Sequence, residues 1–480
     1  MVFSGHLRAI SPRTDNRSTF QSPSSPSLTN SRIVPSIVTS SVDLDNEWPL
    51  MSPIENETGA QRERRLEAER EAKCINDAIE HEIEQDRAER KRHKPEVKIL
   101  LLGQAESGKS TMLRNFQLKF TPTAFAAERA AWRAVIDLNI VRSVRYILDV
   151  LASAPAIPEE LRRLRVALSP LRSVEEALAI FLASDEHGRP VARPADEHGL
   201  DVKVRGSRWK TLFNRSMTES TRQYTQAYEE VLNARRIIEA CRDDLVALWA
   251  HPAVKENLEG QSVPLQFQSG FFLDQVGRIA SSGYEPSSDD VLKARIQTQG
   301  VEEHLLKMET AAESGQTWAI VDVGGNRHQR AAWIPYFDDV NMLLFLAPVS
   351  AFDQTLAEDS SVNRLWDSFL IWRTVCSSKL LRDVSFILLL NKYDILDAKL
   401  KSGIQFASHV TSYKRRPNET EAVLTYLKEK FVIIFRQATT NNRPLHVHYT
   451  CATDSRATAI VLARIREVIL TGNFMNADLL

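Results

Sequence analysis

The residues from Gly103 to Ser110 have the types and spacing of a phosphate-binding loop. They read Gly-Gln-Ala-Glu-Ser-Gly-Lys-Ser, which matches the pattern G-x-x-x-x-G-K-[ST]. In such a loop, backbone N–H groups and the N-terminus of the following helix bind phosphate oxygens. We expect Lys109 to reach the β- and γ-phosphates and Ser110 to ligate Mg²⁺. The expected nucleotide contacts in this segment are Gly103, Glu106, Ser107, Gly108, Lys109, Ser110 and Thr111.

The segment Asn391-Lys392-Tyr393-Asp394 predicts which base is bound. It follows a predicted strand, and open α/β sheets bind ligands at the carboxyl ends of their strands. A carboxylate at Asp394 accepts hydrogen bonds from both N1–H and the exocyclic N2–H of guanine, whereas adenine has no such pair of donors. We therefore predict a guanine site that includes Asn391 and Lys392. An ordinary turn and an ATP-dependent P-loop enzyme are the alternatives, and Asp394 disfavours the second.

A later strand end, Thr450-Cys451-Ala452-Thr453, offers backbone N–H groups to guanine O6. The tetrapeptide alone is weak evidence. Together with Asp394 it predicts that Cys451, Ala452 and Thr453 contact the nucleotide.

Two further segments have residues suited to the phosphate end of the site. Asp322-Val-Gly-Gly325 follows a predicted strand, where an acid can hold Mg²⁺ through water and a glycine N–H can sense a γ-phosphate. Upstream, Arg295 and Thr298 place a cation and a hydroxyl three residues apart. Arg295 and Thr298 are common residue types, and their spacing alone is weak evidence for a site.

The order of the predicted elements indicates a parallel α/β sheet. A buried strand over 97–102 precedes the phosphate loop, and a helix follows from about Lys109. Alternation of strands and helices is typical of a parallel sheet with helical crossovers. The other predicted strands are Thr317–Val321, Asn341–Leu346, Ser385–Leu390 and Leu445–Thr450.

Helical patterns replace strand signals between residues 122 and 287, for example over Trp132–Leu151 and Tyr224–Trp249. We interpret 122–287 as an all-α domain inserted into an α/β domain formed by 96–121 and 288–480. Charge, Gly and Pro over 184–208 predict a loop-like insertion there.

The first 95 residues fall into two parts by composition. Residues 1–56 are rich in Ser, Pro, Thr and Asn and predict a disordered tail. Residues 57–95 predict a helix that ends at Pro95. Its apolar residues form a narrow stripe suited to a partner surface, and a solvated single helix is the alternative. The stripe consists of Ala72, Ile75, Ile79 and Ile83.

Bulk properties exclude several classes of protein. With 61 Lys and Arg against 62 Asp and Glu, the formal net charge of −1 gives no global reason to expect a nucleic-acid partner. The 4 cysteines contain no C-x-x-C pair, which disfavours a disulfide framework or zinc site. The apolar runs are too short to span a membrane. Val2 rather than Gly follows Met1, so the N-myristoylation signal is missing.

Together the motifs resemble those of heterotrimeric G-protein alpha subunits. Leu-Leu-Leu-Gly-x-x-Glu-Ser-Gly-Lys-Ser-Thr, Arg-x-x-Thr-x-Gly, Asp-Val-Gly-Gly, Asn-Lys-x-Asp and Thr-Cys-Ala-Thr occur in that family's order. The similarity also covers Gly283-Tyr284-Glu-Pro and Leu356-Ala-Glu-Asp359, so it spans residues 61–480. The resemblance implies a Ras-like GTPase domain, an inserted helical lid over the nucleotide, and an N-terminal helix.

The resemblance also implies a reaction, in which GTP is hydrolysed to GDP and phosphate with Mg²⁺ as the cofactor. It makes Arg295 the arginine finger supplied in cis and Glu106 its partner. Thr298 becomes a magnesium ligand beside Ser110 and Asp322, Gly325 the γ-phosphate sensor, and Leu292 a nucleotide contact.

Partners and location follow from the same resemblance. It implies a beta-gamma dimer bound by the N-terminal helix and the switch II segment after Asp322, a membrane receptor bound by the C-terminal region, and an effector that the sequence does not identify. We expect a cytoplasmic protein held at the inner face of the plasma membrane through its partners. Ala477 stands where many family members have a modifiable cysteine.

Two residues depart from the family pattern near the predicted reaction centre. Asn326 stands where the family carries the glutamine that orients the attacking water, and it is shorter by roughly 1.5 Å. Ala105 stands where the family has Gly, which adds a methyl group close to the γ-phosphate. We expect slow intrinsic hydrolysis with nucleotide binding retained. A non-hydrolysing scaffold that keeps its nucleotide is the alternative.

Overall fold

The structure is a computed structural model, and it describes most of the chain from Pro95 onwards. The chain divides into two compact units, residues 1–88 and 89–480. In the first unit only Thr58, Gly59, Arg62, Arg70 and Lys73 are described, and the last four have helical backbone. In the second unit the described ranges are 95–154, 157–183, 203–204, 222–258, 265–298, 300–310, 313–439 and 443–477.

Three predictions concern residues beyond those ranges. The tail over 1–56 lies outside the described residues, as do nearly all of the helix over 57–95 and all but two residues of the loop over 184–208. These remain predictions.

The described residues form a six-stranded sheet and a separate two-stranded pair. In the larger sheet the order is β4-β5-β1-β6-β7-β8, with β4 antiparallel to β5 and the other neighbours parallel. The strands are β1 (Val97–Leu102), β2 (Lys203–Val204), β3 (Gln297–Thr298), β4 (Val301–Lys307), β5 (Thr317–Val323), β6 (Met342–Pro348), β7 (Ser385–Asn391) and β8 (Leu445–Thr450).

Helices surround the sheet, and further helices form the insert that lies between β1 and β3 in the chain. In the α/β part they are α1 (Lys109–Phe120), α10 (Ser288–Lys293), α11 (Arg364–Cys376), α12 (Tyr393–Lys401), α13 (Phe406–His409), α14 (Thr420–Ala438) and α15 (Ser455–Ala477). In the insert they are α2 (Pro122–Glu128), α3 (Trp132–Ala152), α4 (Glu159–Ala167), α5 (Leu171–Ala183), α6 (Arg222–Ala240), α7 (Arg242–Ala250), α8 (Pro252–Leu258) and α9 (Val276–Ile279). A 3₁₀ helix, Arg327–Tyr336, follows β5.

Hydrophobic cores cover both faces of the sheet. Successive strand residues point to opposite faces, so Leu100 and Leu102 join one core while Ile99 and Leu101 join the other. All four are fully buried, as is typical of parallel strands covered by helices on both faces. The helical insert has a core of its own, built largely from α3 and the helices around it.

The sheet departs from the sequence prediction at its edge. Strand β4 was absent from the prediction because its sequence, Val-Glu-Glu-His-Leu-Leu-Lys, contains no continuous apolar run. It is an edge strand, where polar side chains are tolerated because one side faces solvent. The predicted strands Thr317–Val321 and Asn341–Leu346 end two residues later in the structure, at Val323 and Pro348.

The insert departs from prediction at one helix and one strand. The helix predicted over Tyr224–Trp249 is interrupted at Cys241, where α6 ends and α7 begins. A single turn residue leaves the apolar periodicity intact, so sequence periodicity does not detect the break. Within the predicted loop, β2 pairs in parallel with β3, so that Val204 lies beside Thr298.

Within the described ranges, no helix is both long enough and apolar enough to cross a membrane.

Candidate nucleotide site

A cavity of about 450 Å³ lies where the carboxyl ends of the sheet strands face the helical insert. The α/β part contributes the loop after β1 and the ends of β5, β7 and β8, while the insert contributes a wall over 266–275. Most of the sequence-predicted site residues line this cavity. They are Glu106, Gly108, Lys109, Ser110, Thr111, Leu292, Arg295, Thr298, Gly325, Asn326, Asn391, Lys392, Asp394, Cys451, Ala452 and Thr453.

Three predicted residues are in the same region but do not line the cavity wall. Gly103 and Ser107 are buried within the phosphate loop. Asp322 accepts hydrogen bonds from Ser110 and Thr298, which do line the cavity. All three therefore lie beneath residues that line the cavity.

The phosphate loop folds tightly onto its own lysine. Lys109 Nζ donates to the carbonyl oxygens of Gly103 at 3.0 Å and Gln104 at 2.7 Å. Burial lowers the pKa of Lys109 to about 8, although Asp322 acts in the opposite direction. Gly108 has φ of 101°, and a Cβ there would lie 2.3 Å from Asn391 Nδ2. Only glycine fits this position, because it needs both a left-handed backbone and close contact with β7.

An oxygen-rich group lies beside Lys109. Ser110 Oγ is 2.8 Å from Thr298 Oγ1 and donates to Asp322 Oδ2 at 2.6 Å. Thr298 Oγ1 donates to the same carboxylate oxygen at 3.2 Å. Asp322 Oδ1 is buried without a protein hydrogen-bond partner. An all-oxygen donor set with an unsatisfied carboxylate oxygen fits Mg²⁺, which prefers oxygen ligands and retains waters.

Glu106 connects the phosphate loop to Arg295. Arg295 Nη2 donates to Glu106 Oε1 at 2.8 Å, and Arg364 Nη1 is 3.5 Å from Glu106 Oε2. Burial by itself would raise the pKa of Glu106, but the charges of Arg295 and Arg364 hold it at about 2. The carboxylate is therefore ionised at neutral pH and draws the two guanidinium groups together.

The part of the cavity predicted to bind the base is built around Asn391 at the end of β7. Its Nδ2 donates to Ser107 O at 2.8 Å, and its Oδ1 accepts from Ala452 N and Thr450 Oγ1, both at 3.1 Å. Asn391 thus ties the phosphate loop to the loop after β8. Asp394 is exposed in the first turn of α12, and its residue lines the cavity.

Gly325 and Asn326 line the cavity beside the predicted phosphate loop. A Cβ on Gly325 would lie 2.1 Å from Ala105 N and 2.2 Å from Gln104 C, so this glycine packs directly on the phosphate loop. Asn326 follows with an extended backbone, φ −66° and ψ 148°. Asn326 and Ala105 both line the cavity.

Sequence reasoning missed two residues that position the Arg295 segment. Arg114 on α1 donates to the carbonyl oxygens of Val291 and of Ala294, the latter at 2.9 Å. Asn139 on α3 accepts from Arg295 N at 2.8 Å and donates to Arg295 O at 3.2 Å. Both polar side chains are buried, but the only sequence signal for either was a polar residue within an apolar helical pattern.

A phosphate loop after the first strand of a mostly parallel sheet, covered by an inserted helical domain, defines a P-loop nucleotide-binding protein with a Ras-like α/β domain. Residues 73–469 match the family model described as G-protein alpha subunit.

Curated relatives agree with that match. The chain is 28% identical to the guanine nucleotide-binding protein alpha-4 subunit of Mycosarcoma maydis, across 90% of this chain and 95% of the relative. It is 30% identical to a guanine nucleotide-binding protein subunit alpha of Coprinellus congregatus, across 85% and 97% of the two chains. It is 29% identical to an alpha-7 subunit of Caenorhabditis briggsae, across 86% and 97%. The chain belongs to the G-protein alpha subunit family, whose members are GTP-binding signal transducers.

Proposed function

We propose that this protein is a molecular switch that alternates between GDP-bound and GTP-bound forms downstream of a membrane receptor. The observation that carries the proposal is the convergence of three chemically distinct groups on one cavity. Lys109 supplies a cation for phosphates, the Ser110–Thr298–Asp322 group supplies oxygen ligands, and Asp394 supplies a carboxylate to the cavity wall.

Each part of the cavity has a role in this proposal. The phosphate loop and Lys109 bind the β- and γ-phosphates, Asn391 and Ala452 shape the base pocket, and Asp394 selects guanine. Ser110, Thr298 and Asp322 hold Mg²⁺, which neutralises charge on the phosphates when bound. Further wall residues of the pocket are Leu292, Lys392, Cys451 and Thr453.

Hydrolysis in this proposal depends on Arg295 and Asn326. The guanidinium of Arg295 stabilises the charge that develops on the transferred phosphoryl group, and Glu106 holds it close to the loop. Asn326 orients the attacking water from a shorter side chain than glutamine, so we propose a low intrinsic rate. The same shortening, together with Ala105, favours a second candidate function, a scaffold that binds guanine nucleotide without hydrolysing it.

We propose a G-protein beta-gamma dimer as a partner, bound by the helix over 57–95 and by the segment after Asp322. A receptor binds the C-terminal region, and an effector is a further partner. The protein acts on the cytoplasmic side of the plasma membrane, where its partners hold it.

Calorimetric titration with Mg²⁺ and GDP, GTPγS, ITP or ATP tests the binding site. Inosine keeps N1–H but lacks the exocyclic amine, so loss of one hydrogen bond to the Asp394 carboxylate predicts about tenfold weaker binding of ITP than of GTP. ATP binding should be undetectable. Asp394→Asn should weaken GTP binding and abolish the preference for GTP over ITP.

Asp397→Asn is the matched control, because Asp397 lies on the same helix but pairs with Lys401 and Thr420 away from the nucleotide. It should leave both affinities unchanged. Absence of affinity for GDP and GTPγS in folded protein would rule out the switch and the scaffold alike. Single-turnover hydrolysis on the same sample then separates the two, since only a switch converts bound GTP to GDP.

A further inference from the structure

Gln104 is a phosphate-loop residue whose side chain does not face the nucleotide cavity. It is 1% exposed, and its amide points towards helix α11. There Nε2 donates to Asp367 Oδ2 at 2.5 Å and to Arg364 O at 2.7 Å. The side chain therefore joins the loop that follows β1 to a helix about 260 residues away in the sequence.

Asp367 is at the same time the anchor of the segment that follows Gly325. Arg330, in the 3₁₀ helix after β5, donates from Nη1 to Asp367 Oδ1 at 2.9 Å and from Nη2 to Asp367 Oδ2 at 2.6 Å. Asp367 is 3% exposed. A bidentate arginine–carboxylate pair in such surroundings is strong and geometrically specific.

The third side of this arrangement is the contact between Gly325 and the phosphate loop. The close approach of Gly325 to the Gln104–Ala105 peptide means that the two backbones touch. The chain from Gly325 to Arg330 is thus held at both ends, by the phosphate loop directly and by Asp367 through Arg330. These contacts form a closed ring through Gln104, Gly325, Arg330 and Asp367, because Gln104 belongs to the phosphate loop and contacts the same carboxylate as Arg330.

We propose that Gln104 is a positioning residue that holds the segment 325–330 against the phosphate loop and thereby favours GTP over GDP. The inference rests on the proposed function, since it requires guanine nucleotides in the cavity. In that function GTP would place its γ-phosphate beside the N–H of Gly325, whereas GDP has no γ-phosphate. A contact that keeps Gly325 at the phosphate loop therefore raises the affinity for GTP and does not change the affinity for GDP.

Gln104→Met tests this, because methionine keeps the length and approximate volume of the side chain but removes the amide donor. Loss of a buried hydrogen bond to a charged group predicts about a tenfold fall in the ratio of GTPγS affinity to GDP affinity. The affinity for GDP and the melting temperature of the GDP-bound protein should change little. Calorimetry and thermal unfolding of the full chain measure these quantities.

The matched control is Gln117→Met, the same exchange at a buried glutamine near the other end of α1. It should leave the affinity ratio unchanged. An equal fall in the control would overturn the proposal, since the effect would then reflect general loosening of the loop and helix.

A double-mutant cycle with Asp367→Asn links the effect to the ring. In that background the acceptor is neutral, so Gln104→Met should change the ratio by less than about threefold. A full tenfold change there would show that Gln104 acts independently of Asp367, contrary to the proposal. If Gln104→Met does not fold, Gln104→Glu places a second carboxylate against Asp367 and should lower the ratio at least as strongly. An unchanged ratio in that variant also overturns the inference.

Wild-type titrations separate this inference from the proposed function. A wild-type chain that binds neither nucleotide contradicts both. A wild-type chain that binds both, with the same ratio in Gln104→Met, contradicts only the role of Gln104.

Discussion

The motif resemblance places Asn326 where the family carries a glutamine, and the asparagine side chain is one methylene shorter. Its backbone is extended, and the residue before it is fixed by close contact with the phosphate loop. Because Gly325 already packs on the phosphate loop, we expect no backbone shift that compensates for the shorter side chain. We therefore expect the Asn326 amide to fall short, by roughly one bond length or about 1.5 Å, of the position from which a glutamine amide would orient the attacking water.

We expect Asn326→Gln to speed single-turnover GTP hydrolysis, because a misplacement of about 1 Å in a reacting constellation costs on the order of 10²-fold in rate. An increase of roughly tenfold to 10²-fold is the predicted result, and adding Ala105→Gly should raise the rate further. Rapid-quench measurement of phosphate release on preloaded protein measures it. GDP affinity serves as the control and should stay constant. Equal rates for the wild type and Asn326→Gln would show that Asn326 already positions the water.

Among the helices of the insert, α3 and α6 are joined by a buried ion pair. Arg235 on α6 donates to Asp137 on α3 at 2.8 Å, and also to the backbone oxygens of Ile279 and Ser281, both at 2.7 Å. Both charged side chains are less than a tenth exposed. One arginine thus fixes two helices and the turn after α9.

We expect Arg235→Met to destabilise the protein by about 3 to 5 kcal/mol at pH 7.5, because it leaves the Asp137 carboxylate buried without its partner. Chemical denaturation monitored by circular dichroism measures the free energy of unfolding. Arg236→Met is the matched control, since Arg236 is the exposed neighbour on the same helix. A loss of equal size in both variants would contradict a role for the buried pair.

The same pair predicts a pH dependence. Burial raises the pKa of Asp137 to about 6 even with Arg235 beside it, although Arg235 acts to lower it. A carboxyl group with a folded-state pKa above its unfolded value is stabilised in the fold by protonation, so its cost diminishes as pH falls through 6. The destabilisation by Arg235→Met should therefore be smaller at pH 5 than at pH 7.5. A constant difference between variant and wild type across this range would refute the assignment.

The molecule as a whole combines one nucleotide cavity with segments that are proposed to contact partners. The cavity needs both parts of the second unit, since its walls come from the sheet ends and from residues 266–275 of the insert. The proposed beta-gamma helix belongs largely to the first unit, whose apolar stripe lies outside the described residues. We therefore expect substitutions on the stripe to leave nucleotide binding unchanged.

We expect the triple variant Ile75→Ser, Ile79→Ser and Ile83→Ser to lose affinity for a beta-gamma dimer by more than tenfold. Burying an isoleucine side chain contributes about 1.5 to 3 kcal/mol, so even partial burial of three exceeds that factor. Fluorescence polarisation with a labelled dimer measures it, and GDP affinity should be unaffected. Ala78→Ser with Ala88→Ser is the control off the stripe. Undiminished binding in the triple variant would show that the stripe does not bind the dimer.

Much of the site was predictable because its chemistry resides in short contiguous segments. The phosphate loop, Asp322 to Gly325, and Asn391 to Asp394 each carry their own backbone requirements and side chains, and each follows a strand. Since parallel strands end at one edge of a sheet, local segments were sufficient to predict that they meet. The family match supports the same architecture, and the individual contacts to nucleotide and Mg²⁺ stay predictions.

By itself, the sequence determined the alternating α/β order, the predicted helical insert and the residue types suited to guanine, phosphate and magnesium, because local pattern and motif spacing encode these. Only the tertiary structure decided that Gln104, Asp367 and Arg330 meet, that Arg114 and Asn139 hold the Arg295 segment, and that β4 completes the sheet edge. Gln104 and Asp367 are 263 residues apart. Such contacts depend on how distant elements pack and in which register, and no local periodicity specifies either.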